Sequence, residues 1–319
     1  MDYVKNNRLL SMLGQKGTFG TVIYNMAQEN ENIMAVSADL IKTSGLERFS
    51  EKYPERCINV GIAEQNAIGF AAGLADVGKI PFVTTFSTFA TMRANEFVRH
   101  FMAYMKCNVK LVGLGSGFAM ELFGNTHYGL EDIAVMRSFP NITILSPSDC
   151  LELAKCVEYS VEKDGPVYIR LSGRMNQPIV NRGEYGFAVG QAVELRDGLD
   201  VIIYATGSMV YKALKVADQL DEEGISVKVA NIHTIKPLDT DYIKKNKDYS
   251  VILTVEEHSL IGGLGSAISE ILSVECQHGK TVRMGSYDGY KKAGKYDYML
   301  EQHGLTVENI KRTVKEYLQ

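Results

Sequence analysis

The chain has 319 residues, which at about 150 residues per domain predicts two domains. With 45% hydrophobic and 23% charged residues the composition is that of a globular protein and excludes a disordered chain. A net charge of -4 argues against nucleic acid as the main partner. The five cysteines form no CxxC pair, the segment MDYVKNNRLL has no apolar signal core, and no stretch approaches the ~20 apolar residues of a membrane helix. We therefore expect a cytoplasmic protein with free thiols.

Short apolar runs alternate with amphipathic helical patterns along the first half of the chain. Strands are predicted at Ile33–Ser37, Cys57–Val60, Pro81–Thr84, Val109–Leu114, Ile142–Leu145 and Val167–Leu171. Helices are predicted at Gly17–Glu29, Ala63–Val77, Phe89–Met105 and Asp149–Glu162. Strands that alternate with helices need crossover connections, so the pattern predicts a mostly parallel sheet.

A region of little periodicity, Arg174–Gly190, follows these elements and contains a proline and three glycines. The alternation then resumes. Strands are predicted at Val201–Ala205, Val227–Asn231, Val251–Val255 and Thr281–Met284, and helices at Met209–Glu222, Gly265–Ser273 and Val307–Tyr317. We therefore predict an α/β protein with a larger domain over residues 1–178, a linker over 179–190 and a smaller α/β domain over 191–319.

Ligands of an open parallel sheet bind beyond the carboxyl ends of its strands, which directs attention to the loops that follow each strand. Glu64 comes soon after the second strand, in the first turn of an apolar helix. Its carboxylate either interacts with the helix dipole or acts as an acid that shares a proton in an apolar pocket. Phe86 and Phe89 follow the third strand. They are either core residues or loop aromatics able to stack on a flat heterocycle.

Two long segments of the sequence resemble the transketolase family of thiamine-diphosphate enzymes: GIAEQNAIGFAAGLADVGKIPFVTTFSTFATMRANEFVR and THYGLEDIAVMRSFPNITILSPSD. The similarity continues through GPVYIRL, ATGSMV, NIHTIKPLD and TVEEHSLIGGLGSA, and so covers nearly the whole chain. It resembles most the C-terminal subunit of split transketolases. The resemblance implies a pyrimidine-binding fold with a mostly parallel sheet, followed by a smaller α/β transketolase C-terminal domain.

The resemblance also implies roles toward the cofactor for five residues. Glu64 matches the acid that hydrogen-bonds N1′ of the aminopyrimidine and so promotes loss of the proton from C2 of the thiazolium. Phe89 matches the aromatic residue that stacks on the pyrimidine, and Phe86 lines the same pocket. Asp39 and Leu40 match residues near the thiazolium ring. Four apolar neighbours are expected to keep water from the acid: Ile62, Ala63, Ala67 and Ile68.

Four further residues match positions that contact the sugar substrate in the family. His127, in NTHYG, matches a histidine that contacts substrate hydroxyls and takes part in catalysis. Arg170, at the end of VYIR, matches an arginine that binds the acceptor phosphate, for which the guanidinium offers a two-bond fork. Lys16 stands where the family usually has a second phosphate-site arginine, and Thr43 where a serine is common. Lysine binds phosphate as a point charge, so we expect this contact to persist in weaker form.

Two departures from the family pattern concern the substrate loop, GSGFAMELFGNTHYG. Phe123 replaces an acidic residue four positions before the histidine, and Gly115 replaces a histidine eight positions further back. An apolar group does not satisfy a sugar hydroxyl, and an unpaired polar group costs about 1–3 kcal/mol. We therefore expect a substrate other than the ordinary pentose phosphates, or a different mode of binding.

The family holds the diphosphate of its cofactor through Mg²⁺ on a GDG motif, and this sequence contains no GDG. The resemblance therefore implies no metal ligand in this chain. It implies activity only with a diphosphate-binding partner subunit that holds Mg²⁺, as an α2β2 assembly.

Two other functions stay open from the sequence alone. One is a two-subunit decarboxylating ligase, similar to 1-deoxyxylulose-5-phosphate synthase or to the β subunit of the 2-oxo acid dehydrogenase decarboxylase, which share this architecture. The other is a non-catalytic scaffold subunit that kept the fold, against which the retained Glu64, Phe89, His127 and Arg170 argue.

Overall fold

The computed structural model describes residues 2–172 and 175–318, so Arg174, at the start of the predicted break, lies outside the described residues. The strands are β1 Ile33–Ser37, β2 Cys57–Asn59, β3 Ile80–Phe86, β4 Lys110–Leu114, β5 Thr143–Leu145, β6 Val167–Arg170, β7 Val193–Arg196, β8 Val201–Ala205, β9 Val227–Asn231, β10 Thr234–Lys236, β11 Val251–Ser259 and β12 Lys280–Ser286. The α-helices are α1 Asn7–Met26, α2 Glu47–Lys52, α3 Glu64–Asp76, α4 Asn95–Phe97, α5 Asp132–Ser138, α6 Cys150–Glu162, α7 Met209–Asp221, α8 Thr240–Lys245, α9 Leu264–Leu272, α10 Tyr296–Gln302 and α11 Val307–Leu318.

The first sheet has seven strands in the order β10-β5-β6-β4-β3-β1-β2, and all of its pairs are parallel except that between β10 and β5. Strands β1 and β4 are buried along their whole length. Helices cover both faces of such a sheet, which explains why the strands are nearly continuous apolar runs in the sequence. The carboxyl ends of β1, β2, β3 and β4 therefore meet at one edge.

The second sheet has five strands in the order β12-β11-β8-β9-β7. Its strands pair in parallel except at one edge, where β7 runs antiparallel to β9. The predicted parallel strands of this half are all present. The edge strand β7 is not predicted from the sequence because only one of its faces packs on the protein, so it lacks a continuous apolar run.

The structure corrects two predicted helices and adds a second strand that was not predicted. Helix α1 begins at Asn7 and not at Gly17, and it contains a break at Gly14, where φ is +71°. The predicted helix Phe89–Met105 consists of π-helical turns at Phe89–Arg93 and Val98–Tyr104 on either side of the short α4. The short strand β10 follows the predicted linker yet pairs with β5 in the first sheet, so residues of the second half complete the sheet of the first.

None of the helices in the described part of the chain is long and apolar enough to cross a membrane.

Candidate active site

Glu64 is held at the N-terminus of α3 by the turn that follows β2. Gly61 adopts a φ of +74°, and its N–H donates to Oδ1 of Asn59 at 3.0 Å. This turn directs Glu64 back toward the sheet edge, where its side chain is only 2% exposed. No side chain caps the helix, so the carboxylate itself lies near the positive end of the helix dipole.

Arg93 is the ionic partner of this buried carboxylate. Its Nη1 donates to Oε1 of Glu64 at 2.9 Å and to Oε2 at 3.0 Å. The same guanidinium lies over the ring of Phe89, with Cζ 4.1 Å from the ring centroid. Arg93 was not predicted as a site residue. The spacing of four residues in the sequence indicates that Arg93 lies near Phe89. Nothing in the sequence indicates its contact with Glu64, 29 positions away.

Aromatic rings surround His127 beside this pair. The imidazole lies 5.8 Å from the ring of Phe86, 5.3 Å from that of Phe89 and 5.2 Å from that of Phe123, measured between centroids. Oγ1 of Thr126 is 2.9 Å from Nδ1 of the imidazole. The structure therefore brings the predicted residues Phe86, Phe89 and His127 together. It also adds Phe123, which is 67% exposed, as one wall of the cluster.

Asp39 and Leu40 lie at the same sheet edge, after β1. Asp39 has a φ of +59°, a sparsely populated conformation for a residue other than glycine. Asn59 holds it there, because Asn59 Oδ1 accepts from the N–H of Asp39 and Asn59 Nδ2 donates to Asp39 Oδ1, both at 3.0 Å. The N–H of Leu40 donates to Oγ of Ser37 at 2.9 Å. This positions the loop rigidly beside the start of α3.

Lys16 and the loop that contains Thr43 pack against each other. A side chain on Gly45, whose φ is +76°, would lie 2.5 Å from the carbonyl oxygen of Lys16, so only glycine permits this approach. Lys16 is half-buried, and desolvation lowers its pKa. A partly desolvated ammonium gains from an anionic partner. This placement is compatible with the predicted phosphate contact.

Arg170 lies in a buried polar cluster at the end of β6. Its guanidinium is 1% exposed and pairs with Asp132, with Nε 2.8 Å from Oδ2. Nη2 donates to the carbonyl oxygens of Gly129 and Glu257 at 3.2 and 2.8 Å. Nε and Nη2 are therefore engaged inside the protein and join the two halves of the chain, while the phosphate contact expected for Arg170 stays a prediction.

The structure also bears on the two departures in the substrate loop. Gly115 has a φ of +66°, and a Cβ there would lie 2.5 Å from Sδ of Met120. A side chain at this position is therefore strained. The expected apolar shield of Glu64 is incomplete, because Ala67 and Ile68 are buried but Ile62 is 76% exposed. The burial of Glu64 itself therefore does not depend on Ile62.

The residues present fit the aminopyrimidine part of thiamine diphosphate. A buried carboxylate accepts or shares a proton with a ring nitrogen, and half-exposed aromatic rings stack on a flat heterocycle. The described residues contain no group of three or more His, Cys, Asp or Glu side chains that could hold a metal ion.

Comparisons with known proteins identify the family of this chain. Residues 15–177 match the transketolase pyrimidine binding domain, and residues 190–310 match the transketolase C-terminal domain. A Methanocaldococcus jannaschii protein described as a transketolase C-terminal section is 39% identical over 95% of this chain and 96% of its own length. The 6-deoxy-6-sulfo-D-fructose transketolase subunit of Clostridium sp. is 40% identical over 94% of this chain and 93% of its own. One subunit of an apulose-4-phosphate transketolase from Actinobacillus succinogenes is 38% identical over 88% of this chain and 90% of its own.

Solved structures show the same relationship. A split-gene transketolase, described as an inactive β4 tetramer, superposes with a TM-score of 0.86 at 37% identity, covering 96% of this chain and 98% of that one. A transketolase from Campylobacter jejuni, 21% identical with a TM-score of 0.78, shares the fold over 95% of this chain and 46% of its own. The chain therefore belongs to the transketolase family, whose members are thiamine-diphosphate-dependent transferases. The family resemblance and the α/β fold class predicted from the sequence are confirmed.

Proposed function

We propose that this chain is the pyrimidine-binding subunit of a split transketolase, which transfers a two-carbon ketol unit from a ketose, in phosphorylated form, to an aldehyde acceptor. The observation that carries the proposal is the buried carboxylate of Glu64 at the start of α3, joined through Arg93 to the ring of Phe89. The relatives named as transketolase sections or subunits extend over nearly all of this chain.

Thiamine diphosphate, when bound, supplies the group that stabilises the carbanion during transfer. Toward it, Glu64 would hold the proton at N1′ of the aminopyrimidine, and Phe89 would stack on that ring with Phe86 beside it. Asp39 and Leu40, in the loop held by Asn59, would lie near the thiazolium. The burial of Glu64 keeps its carboxylate away from bulk water, at the position the aminopyrimidine would reach.

Toward the sugar, His127 would contact hydroxyl groups and assist proton transfer, with Nδ1 engaged by Thr126. Lys16 would bind the phosphate, with Thr43 nearby. The apolar ring of Phe123 in this cluster favours a substrate that lacks a hydroxyl at the position it faces. The relatives named for a sulfo-sugar and for apulose-4-phosphate support a donor outside the ordinary pentose phosphates.

A partner subunit would complete the site. Large apolar side chains are exposed around it: Ile62, Phe70, Met92, Leu122 and Phe123. Exposed apolar surface next to a ligand site is typical of a protein–protein interface. The partner would cover Glu64, bind the diphosphate and hold most of the Mg²⁺ coordination, in an α2β2 assembly. The free cysteines among the described residues are compatible with the cytoplasm as its place of action.

The test uses this chain, a candidate diphosphate-binding subunit, thiamine diphosphate and Mg²⁺. The two subunits are assayed separately and together for ketol transfer. The donor panel comprises pentose and hexose ketose phosphates, 6-deoxy-6-sulfo-D-fructose, apulose-4-phosphate and 2-oxo acids. We expect transfer only from the mixture and without release of CO₂. Activity of this chain alone would refute the need for a partner.

A decarboxylating ligase is the second candidate. The 1-deoxy-D-xylulose-5-phosphate synthase of Syntrophotalea carbinolica is 34% identical over 95% of this chain, which spans 48% of that protein. Two positions where the family commonly has sugar-binding groups lack them here. Gly115 has a backbone conformation in which a side chain is strained, and Phe123 presents an apolar ring. Release of CO₂ from a 2-oxo acid in the same assay would favour this function over ketol transfer.

A further inference from the structure

The side chain of Arg93 occupies the two contacts that the proposed function gives to the aminopyrimidine. Nη1 donates to both carboxylate oxygens of Glu64, at 2.9 and 3.0 Å. The guanidinium lies over the ring of Phe89 at 4.1 Å. A guanidinium is flat, carries N–H donors and stacks on aromatic faces. In these three properties it resembles an aminopyrimidine.

The local backbone explains why Arg93 and Phe89 overlie each other. The N–H of Ala94 donates to the carbonyl oxygen of Phe89 at 3.1 Å, which is the i to i+5 bond of a π-helical turn. A π turn contains more residues than the 3.6 of an α-helix, so residues four apart lie more nearly above one another. Such single turns are common at functional sites.

The two partners of the ion pair differ strongly in exposure. The side chain of Glu64 is 2% exposed and that of Arg93 is 46% exposed. A buried carboxylate without a partner is costly, so the guanidinium stabilises Glu64 in the free subunit. Because Arg93 is half-exposed, its guanidinium can move into solvent at little cost once another donor reaches Glu64.

We propose that Arg93 is a placeholder for the aminopyrimidine: it binds Glu64 and Phe89 in the free subunit and is displaced when the cofactor binds. The proposal rests on the proposed function and adds a competing group within the same site. It implies that the chain without cofactor is stabilised by Arg93, and that cofactor binding is weakened by it. A positioning residue that stays in contact with Glu64 would instead strengthen binding.

The variants that test this are Arg93→Met, which keeps the length of the side chain and removes the guanidinium, and Arg93→Lys, which keeps the charge without the flat fork. Arg99→Met is the matched control, because Arg99 is exposed in the following π-helical turn. Two quantities are measured: the unfolding midpoint of each full chain without cofactor, and the Kd for thiamine diphosphate with Mg²⁺ in the assembled enzyme, by titration calorimetry.

For Arg93→Met we expect a lower unfolding midpoint of the free chain and a Kd lower by about fivefold, the equivalent of ~1 kcal/mol. Arg93→Lys should fall between Arg93→Met and the wild type, and Arg99→Met should match the wild type in both measurements. An unchanged or higher Kd in Arg93→Met, with normal binding by the wild type, would overturn the placeholder role and leave the proposed function intact. Absence of cofactor binding by the assembled wild type would overturn both. If Arg93→Met does not fold, Arg93→Lys decides through its Kd alone.

Discussion

Nε of Arg170 lies 2.8 Å from Oδ2 of Asp132, and both side chains are almost completely buried where the two halves of the chain meet. The hydroxyl of Tyr168 donates to the same Oδ2 at 2.7 Å. Nη2 of Arg170 donates to the carbonyl oxygen of Glu257, which comes from the second sheet. The pair therefore links the end of β6 to both the substrate loop region and the C-terminal half.

Replacing one member of this pair should destabilise the protein more than it affects substrate binding. Arg170→Met leaves the carboxylate of Asp132 buried without its cation, for which we expect a loss of about 3–5 kcal/mol in the free energy of unfolding. Urea denaturation measures this loss. The double variant Arg170→Met, Asp132→Leu removes both charges and should recover much of the stability.

A contrary result would support the phosphate role predicted for Arg170. If Arg170→Met unfolds like the wild type and its KM rises only for phosphorylated acceptors, then the guanidinium binds phosphate. The same pair of measurements on Lys16→Met, where the ammonium is half-buried, should show the opposite pattern: normal unfolding and a higher KM for phosphorylated substrates.

Glu64→Gln should abolish turnover without unfolding the protein. The amide keeps the shape of the side chain but does not hold a proton for N1′, so we expect kcat to fall by about 100- to 10,000-fold. The control is Glu47→Gln, because Glu47 is also an acidic residue in the first turn of a helix but is exposed. Full activity of Glu64→Gln in the assembled enzyme would show that this carboxylate has no catalytic role.

Phe123 should determine which donor sugar is accepted. Phe123→Asp restores the type of residue that the family commonly has, in a side chain that is 67% exposed, so little stability should be lost. We expect kcat/KM for ordinary ketopentose phosphates to rise by about tenfold or more, because a hydroxyl gains a partner worth about 1–3 kcal/mol. The measurement is kcat/KM over the donor panel.

Two variants control the interpretation of that change. Phe123→Ala removes the ring without adding an acceptor and should not raise the pentose activity. His127→Ala removes the group inside the aromatic cluster and should raise KM for every sugar donor. If Phe123→Asp leaves the relative kcat/KM values of the donors unchanged, Phe123 does not determine donor specificity.

Glu256 and His258, two buried residues on β11, should contribute to the free energy of unfolding with opposite dependences on pH. Burial lowers the pKa of His258 to about 4, from 6.5, and raises that of Glu256 to about 7, from 4.5. Nδ1 of the imidazole is 3.7 Å from Oε2 of Glu256, and Nε2 is 3.9 Å from Oδ1 of Asp132. The folded state therefore favours neutral His258 and protonated Glu256.

His258 stabilises the fold fully above pH 6.5 and loses that contribution as the pH falls toward 4. The destabilisation caused by His258→Gln should thus shrink by ~3 kcal/mol over this interval. Glu256 contributes fully below pH 4.5 and loses its contribution as the pH rises through 7. The destabilisation caused by Glu256→Gln should therefore shrink as the pH rises. Urea denaturation at stepwise pH measures both.

The exposed His278 supplies the control for these profiles, because His278→Gln should have the pH dependence of the wild type. Parallel profiles for His258→Gln and Glu256→Gln would contradict the assignment. So would a profile of His258→Gln that follows the wild type.

Much of the parallel architecture could be predicted because buried strands and amphipathic helices each produce a local pattern of hydrophobic residues in the sequence. Strand β1 was predicted with the bounds that the structure shows, since all five of its residues are buried. Strand β10 was not, because its three residues become a strand only by pairing with β5, some ninety positions earlier in the chain. Helix α1 was predicted too short because Gly14 interrupts its pattern.

The candidate site likewise contains residues that could be found from the sequence and contacts that could not. Glu64 and Phe89 could be found from the sequence because they belong to contiguous motifs after strands, and such motifs keep their local geometry. The partnership of Arg93 with Glu64 could not, because it joins side chains 29 positions apart through their rotamers. The exposure of Ile62 was also missed, because an apolar helix start does not reveal which residue faces outward.

The sequence by itself determined the family, the α/β class and the order of the loops that carry the candidate chemistry, because local patterns and contiguous motifs contain that information. Only the tertiary structure decided which charged groups are partners. It paired Arg170 with Asp132 inside the protein, and the half-exposed Arg93 with the buried Glu64. The reason is physical: whether a guanidinium can receive a phosphate depends on its burial and on the acceptors already within reach, and both are set by long-range packing.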